Sequence, residues 1–314
     1  MNRIILRVSR LFLFGFVFFC CFGCVDQSQG ENQTETDDKV EATLEENTES
    51  GSEETADEPV ILATSVATME ICSKLGINLK GIPESSLADP PECYEGLPEI
   101  GTAMAPDMEK IAAMDPDWIL SPVSLYADLQ PQYEGIQTEY AFLNLSSVPG
   151  MYKSIEELGQ IFGKEQEAED LIEEFTVFYD GYQASNAGEE SPSVLILMGF
   201  PGSYVAATPE SYVGSLVQMA GGSNVYAGES KDYINVNTED MLTKDPDIIL
   251  RTAHALPEDV MEMFADEFEN NDIWKQFTAV QEEKVYDLSS GNFGMSANFQ
   301  YPDALEELKG IFYE

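Results

Sequence analysis

The 314-residue chain is strongly acidic, with 58 Asp and Glu residues against 15 Lys and Arg residues and a formal net charge of −43. This balance excludes a nucleic-acid-binding protein, because contact with phosphates needs a basic surface. It is typical of a soluble acidic body rather than of one particular cationic partner. The chain also has a single histidine, His254. It therefore cannot hold a metal with a pair of its own histidines, and His254 can supply one ligand at most.

The N-terminus has the features of a lipoprotein signal peptide. Three arginines among the first ten residues precede the apolar run Leu11–Gly23, which is too short for a membrane-spanning helix. The run leads to Cys21-Phe22-Gly-Cys24, which resembles a bacterial lipobox, although Cys21 and Phe22 depart from the usual residues. We expect residues 1–23 to be removed and Cys24 to carry acyl chains, palmitate among them, that anchor the protein. An ordinary signal peptide and an uncleaved anchor are the alternatives.

Residues 24–58 lack apolar periodicity and consist almost entirely of acidic and small polar residues. Such a segment buries too little apolar surface to fold, so we expect a disordered acidic tether. The body after it is long enough for two domains of ordinary size. Its two cysteines, Cys72 and Cys93, lie in a compartment that permits a disulfide, and the sequence leaves open whether they pair.

The body contains an internal sequence repeat. A helical stretch runs into Asp-Pro-Asp and then into a short apolar strand at 115–117 and again at 245–247. Under this alignment Glu109 matches Glu239. A repeat that spans about half of the body predicts two related lobes.

Apolar strands alternate with helical stretches in both lobes, which predicts an α/β fold with mostly parallel sheets. The predicted strands are 60–63, 79–82, 118–121, 140–145, 194–198, 247–252 and 284–288. Between the lobes, Ser154-Ile-Glu-Glu157 predicts a helix start and Gly163 its end. The next stretch is amphipathic and free of proline, which predicts one long bridging helix. The predicted domains are an N-terminal lobe at 59–163, the bridging helix at 164–187 and a C-terminal lobe at 188–314.

Four motifs identify a family resemblance: 97–110 (LPEIGTAMAPDMEK), 201–208 (PGSYVAAT), 220–225 (AGGSNV) and 248–254 (IILRTAH). With the lipobox and the bridging helix, they resemble the helical-backbone class of ABC-transporter solute-binding proteins. Within this class, the chain resembles the haem-binding lipoproteins of the iron-regulated surface determinant system. The resemblance covers essentially the whole body. It implies two Rossmann-like lobes joined by one long helix, the architecture of a class III periplasmic binding protein.

The resemblance also implies a haem site, because Met104 and His254 fall on the positions of the family's two iron ligands. His254 follows a predicted strand, and ligands bind at the carboxyl ends of strands in open α/β sheets. One thioether and one imidazole suit haem iron, whereas zinc or manganese would need more histidines or carboxylates. Met108, one helical turn after Met104, is the alternative ligand. A lone histidine is otherwise more often a structural or surface residue.

Other candidate residues have two interpretations each. Arg251 could bind a haem propionate or pair with a carboxylate of this acidic body. Tyr204 could line the pocket or fill the core, and the same holds for Tyr212. The resemblance implies that Glu109 and Glu239 dock onto arginines of a permease, while the alternative is an ordinary solvent-exposed charge.

We therefore expect a lipid-anchored haem receptor on the extracellular face of the cytoplasmic membrane, in a Gram-positive cell. It is expected to be a monomer that passes haem to an ABC permease and its ATPase, with an upstream surface protein as a candidate haem donor. No enzyme activity is expected. The alternatives are an iron-siderophore or cobalamin binding protein of the same class, or a membrane-tethered haem electron carrier. The chain lacks the Cys-x-x-Cys-His haem attachment motif, which disfavours the electron carrier.

Overall fold

The protein is described by a computed structural model at residues 5–7, 58–85 and 89–313. The predicted lipidation site Cys24, most of the predicted signal peptide and nearly all of the predicted tether lie outside these residues. Within them, no helix combines the length and the apolar character needed to cross a membrane. The described residues from Pro59 onward belong to one compact unit.

The first sheet is built from three parallel strands whose side chains alternate between two apolar layers. In chain order the elements are β1 (Ile5–Arg7), β2 (Ile61–Ala63), α1 (Val66–Lys74), β3 (Gly101–Thr102), β4 (Ala105–Pro106), α2 (Met108–Ala113), β5 (Trp118–Pro122), α3 (Tyr126–Ile136), β6 (Glu139–Leu143) and α4 (Val148–Phe162). The strand order is β1-β6-β5-β2, and β1 alone is antiparallel. On β2, Ile61 and Ala63 face one apolar cluster while Leu62 faces another, which is the pattern of a sheet covered on both faces.

The second sheet is mixed. Its elements are β7 (Ser193–Phe200), β8 (Ser203–Ala207), α6 (Tyr212–Met219), β9 (Ser223–Asn224), β10 (Tyr233–Ile234), α7 (Thr238–Lys244), β11 (Ile248–Ala253), α8 (Pro257–Asn270), α9 (Thr278–Gln281), β12 (Val285–Asp287) and α10 (Tyr301–Tyr313). The order is β10-β8-β7-β11-β12, with β9 beside β7. The strands β7, β9, β11 and β12 are parallel, and β8 returns antiparallel from β7 through the two-residue loop Pro201-Gly202. The prediction of mostly parallel sheets is confirmed.

The repeated Asp-Pro-Asp has the same local structure in both lobes. Its first aspartate follows the helix and has a left-handed backbone, with φ of 48° in one lobe and 41° in the other. Its last aspartate accepts a hydrogen bond from a backbone N–H beside the neighbouring strand. Asp117 accepts from Val60 at 2.7 Å, and Asp247 accepts from Ser193 at 2.7 Å. The two segments therefore serve as the same helix-to-strand clamp in each lobe.

A long helix, α5 (Glu165–Ser185), joins the two sheets and packs on elements before and after it. The apolar residues that make this helix amphipathic contact the main core: Ala168, Leu171, Ile172, Phe175 and Phe178. The Phe175 ring stacks on Tyr152 of α4 with 4.4 Å between centroids. The Tyr182 hydroxyl donates to the Leu305 carbonyl of α10 at 2.8 Å. The bridge is thus held by aromatic packing on α4 and by a hydrogen bond to α10.

Two local predictions differ from the structure, and the open question of a disulfide is answered by it. The helix predicted to start at Ser154 begins at Val148, because the Ser147 hydroxyl caps it by accepting from the Gly150 N–H. The predicted strand 79–82 is reduced to two isolated bridges, and Pro83 follows it directly. Cys72 and Cys93 are free thiols, the first buried and the second exposed.

Candidate functional site

Met104 lies at the tip of a short hairpin in the first lobe. The strands β3 and β4 pair Thr102 with Ala105, so Ala103 and Met104 form a two-residue loop. Gly101 makes this hairpin possible, since its φ is +88° and a Cβ atom there would lie 2.8 Å from the Ala105 carbonyl oxygen. The Met104 side chain is 75 % exposed. The hairpin therefore presents a thioether to whatever occupies the space beyond it.

The alternative ligand Met108 has a different environment. It is the first residue of α2, half-buried, and it packs against the apolar cluster that includes Leu62 and Ile111. Its side chain is therefore occupied with packing, whereas the Met104 side chain is not. Of the two methionines, Met104 is therefore the more accessible to an external ligand.

His254 directly follows β11, the central parallel strand of the second sheet. Its backbone N–H donates to the Gly199 carbonyl at 3.0 Å, which extends the ladder between β11 and β7 by one residue. The imidazole is half-buried beside the Phe200 ring, with 5.3 Å between centroids and 58° between planes. No side chain or carbonyl of the described residues forms a hydrogen bond with it. Burial lowers the pKa of His254 below its usual 6.5, which favours the neutral ring at pH 7 and leaves one ring nitrogen with a free lone pair.

Sequence reasoning did not single out Phe200, although its position could have been found. Phe200 ends β7 as His254 follows β11, and the two strands are parallel neighbours in register, Gly199 opposite Ala253. The next residue of each strand must therefore lie on one face at one sheet edge. An aromatic side chain at this position covers one side of the imidazole.

Tyr204 lies on the opposite face of the same sheet. It pairs with Gly199, which pairs with Ala253, so these three residues share the face turned away from His254. The ring packs against Phe264 and Trp274, and the hydroxyl donates to Glu267 Oε1 at 3.2 Å. The structure therefore gives Tyr204 a packing role. Tyr212, whose side chain is fully buried, also fills the core.

Arg251 forms the carboxylate pair that the sequence left as one of its two interpretations. Its Nε and Nη2 donate to the two carboxylate oxygens of Asp287 at 2.6 and 2.8 Å. The guanidinium also lies over the rings of Phe264 and Phe268, at 5.7 and 4.8 Å from their centroids. The side chain is only 13 % exposed. The contact with a propionate stays a prediction, and the observed pairing does not favour it.

Glu109 and Glu239 occupy equivalent positions in the two lobes. Each is the second residue of its helix, α2 or α7, and each is exposed. Each helix is capped in the same way, by the Asp107 carboxylate accepting from the Lys110 N–H and by the corresponding Asn237 amide oxygen. Among the described residues neither glutamate has an ion-pair partner. They are therefore matched, unengaged carboxylates.

The sequence and fold were compared with known proteins. The family model described as "Periplasmic binding protein" matches residues 61–291, most of the chain. The chain belongs to the periplasmic binding protein family. This family assignment agrees with the resemblance found in the sequence and with the two-lobed architecture.

Individual relatives of this periplasmic binding protein carry more specific names. The chain is 39 % identical over 255 residues to the high-affinity heme uptake system protein IsdE of Staphylococcus aureus, covering 81 % of this chain and 87 % of the relative. The crystal structure of S. aureus IsdE complexed with heme superposes with a TM-score of 0.77 at 39 % identity, covering 82 % of this chain and all of that one. An ABC transporter substrate-binding protein from Listeria monocytogenes EGD-e also gives a TM-score of 0.77, at 43 % identity, covering 82 % of this chain and 99 % of that one.

Proposed function

We propose that this periplasmic binding protein is the haem-binding lipoprotein of an ABC importer for iron acquisition. The observation that carries the proposal is the accessibility of two side chains of ligand type, one in each lobe. One lobe exposes the Met104 thioether at a hairpin tip, and the other presents the half-buried imidazole of His254 at a strand end. The similarity to a protein whose structure contains heme supports the same cargo here.

The chemistry of these two side chains suits haem iron. A neutral imidazole and a thioether are soft-to-borderline neutral ligands that together complete the axial positions of a haem. The lowered pKa of His254 keeps the imidazole unprotonated and free to bind. Because the imidazole of His254 has no hydrogen bond among the described residues, no protein partner of the ring must be released before ligation. The protein binds and hands over its cargo and breaks no bond in it.

The visible spectrum of the protein with added haemin tests the proposal. We expect a low-spin, six-coordinate spectrum for the wild type. His254→Ala should lose it, and Met104→Ala should change it to that of a five-coordinate or water-ligated haem. Met108→Ala is the matched control, because it removes a neighbouring thioether that is engaged in packing, and its spectrum should equal that of the wild type.

Identical spectra for the wild type, His254→Ala and Met104→Ala would refute the ligand assignment. No spectral change of the wild type with haemin would refute haem as the cargo. If the protein binds a ferric siderophore or cobalamin and not haemin, it is a binding protein for that cargo within the same transporter class.

We further propose that acylated Cys24 anchors the protein to the extracellular face of the cytoplasmic membrane, with the acidic segment 24–58 as its tether. The protein would act as a monomer and receive haem from a surface protein. Metabolic labelling with a palmitate analogue tests the anchor, which Cys24→Ala should abolish while Cys21→Ala retains it. Labelling of both variants alike would exclude Cys24 as the acylated residue.

The matched carboxylates of Glu109 and Glu239 support docking on arginines of the permease that works with an ATPase. Charge reversal by Glu109→Lys with Glu239→Lys should reduce haem-stimulated ATPase activity of the reconstituted transporter while haem binding is unchanged. Glu262→Lys with Glu269→Lys, two exposed positions on α8, is a control with the same change of charge. Equal stimulation by all three proteins would exclude the docking role.

A further inference from the structure

Leu256 combines two unfavourable local properties. Its side chain is 59 % exposed, and its backbone is left-handed with a φ of 46°. The left-handed region costs about 1–2 kcal/mol for a residue with a Cβ atom, and an exposed leucine recovers little of this by packing. A residue that is strained and poorly packed is a candidate for a role outside the folded core.

The other residues of this kind show how unusual the leucine is. Among the described residues five non-glycine residues have positive φ, and the other four are polar: Asp115, Gln137, Asp245 and Glu283. Asparagine and aspartate tolerate this conformation best, because their short polar side chains bond locally. The left-handed backbone at position 256 is thus no reason for a leucine side chain at that position.

The start of α8 does not require a leucine either. Leu256 is the N-cap residue of α8, and its side chain makes no capping hydrogen bond. Asparagine would tolerate the left-handed backbone better than leucine does. Local structure alone therefore favours a different residue at this position.

The location of Leu256 points to its partner. Three large apolar side chains are prominently exposed in the described part of the chain: Met104, Val177 and Leu256. Met104 is one proposed iron ligand, and Leu256 comes two residues after the other, His254. Val177 lies on the outer surface of α5. Exposed apolar atoms thus accompany both proposed ligands, and a porphyrin is a broad apolar surface able to cover them.

We infer that Leu256 is an apolar contact for the porphyrin of haem bound at His254, held towards it by its left-handed backbone. The inference rests on the proposed haem function. It assigns Leu256 a share in retaining the macrocycle, separate from ligation of the iron. The Phe200 ring on the side of the imidazole adds apolar surface to the same end of the sheet.

The test is the rate at which haemin transfers from the protein to excess apomyoglobin. Leu256→Asn should release haemin about tenfold faster, since it removes roughly half of the burial of a leucine side chain on binding. Its melting temperature without haemin should equal or exceed that of the wild type, because asparagine relieves the backbone strain at this position. Leu256→Met, which keeps an apolar side chain, should release haemin at nearly the wild-type rate.

Two control variants separate the effect of the proposed contact from the effects of a left-handed backbone and of an exposed apolar side chain. Gln137→Asn changes another left-handed residue, at the end of α3, and Val177→Asn removes another exposed apolar side chain. Both should release haemin at the wild-type rate. A release rate for Leu256→Asn within twofold of the wild type would overturn the inference, whereas a wild type that binds no haemin would refute the proposed function itself.

Discussion

The carboxylate of Glu267 on α8 is predicted to stabilise the second lobe by a set of hydrogen bonds to one oxygen. Glu267 Oε1 accepts from Asn271 Nδ2 at 2.9 Å, Trp274 Nε1 at 3.0 Å and the Tyr204 hydroxyl at 3.2 Å. Burial raises the pKa of Glu267, but these three donors outweigh it and hold the pKa below its usual 4.5. The carboxylate therefore binds its donors in the charged form at neutral pH.

The loss in the free energy of unfolding depends mainly on the one donor that water cannot reach. Trp274 is fully buried, so Glu267→Ala leaves its indole N–H without an acceptor, which costs about 1–3 kcal/mol. Asn271 and Tyr204 are partly exposed and recover hydrogen bonds to water. We expect the free energy of unfolding to fall by about 2 kcal/mol, which corresponds to a melting temperature about 4–8 °C lower.

Urea denaturation at pH 7 measures this difference. Glu267→Gln keeps an acceptor oxygen and should lose about 1 kcal/mol, while Glu269→Ala, an exposed carboxylate of the same helix, should stay within about 0.5 kcal/mol of the wild type. Since the folded pKa is lowered, the contribution is present above the ordinary pKa and is lost as the pH falls through the folded pKa. A loss for Glu267→Ala no greater than that for Glu269→Ala would refute the reasoning.

The remaining predictions concern packing, buried charge and ligation. Gly214→Ala should destabilise the protein by about 3 kcal/mol or prevent folding, since its Cβ would lie 1.8 Å from a backbone oxygen. Gly181→Ala on α5 is the control, because its Cβ would meet nothing within 4 Å, and it should stabilise the protein by about 0.5–1 kcal/mol. Urea denaturation measures both changes. Burial raises the pKa of Asp232, which the Ser146 hydroxyl contacts from the first lobe at 3.5 Å. Asp232→Asn should therefore melt higher than the wild type at pH 7, and this gain should vanish as the pH falls towards the ordinary aspartate pKa of 3.8; an unchanged gain at both pH values would contradict it. Haemin affinity should be unchanged down to pH 6.5 and should decrease at lower pH as His254 is protonated. A spectral titration would follow this decrease, and a flat profile down to pH 4 would contradict the prediction.

The sequence predicted the architecture well because periodicity is a local property. Alternating apolar runs gave the parallel strands, and the unbroken amphipathic pattern gave α5. The strand β8 was missed, since its pattern Ser-Tyr-Val-Ala-Ala has little apolar character and becomes a strand through its pairing with β7. The start of α4 was placed too late, because Ser147 and Ser154 both precede suitable residues and tertiary context decides between them.

The sequence could predict the part of the candidate site that depends on a rare residue type. It could not predict the parts that depend on which distant residues lie close together in the fold. A single histidine at a strand end could be located by sequence alone, and the resemblance supplied Met104 as its partner. The interpretation of Arg251 depended on Asp287 of a neighbouring strand, far away along the chain. Similarly, which face of the sheet holds Tyr204 follows from the register of β8, and the left-handed backbone of Leu256 leaves no mark in the sequence.

The Asp-Pro-Asp clamp, present once in each lobe, has a consequence for orientation. Each clamp ends a helix whose second residue is an exposed glutamate, so one chain carries two near-copies of the same surface unit, the one proposed above for docking. A receptor made of two identical subunits would meet this duplicated surface equally well after a half-turn of the binding protein. Only the differences between the lobes would then distinguish the two ways of docking. If delivery tolerates both, each encounter with the receptor has two productive orientations in place of one.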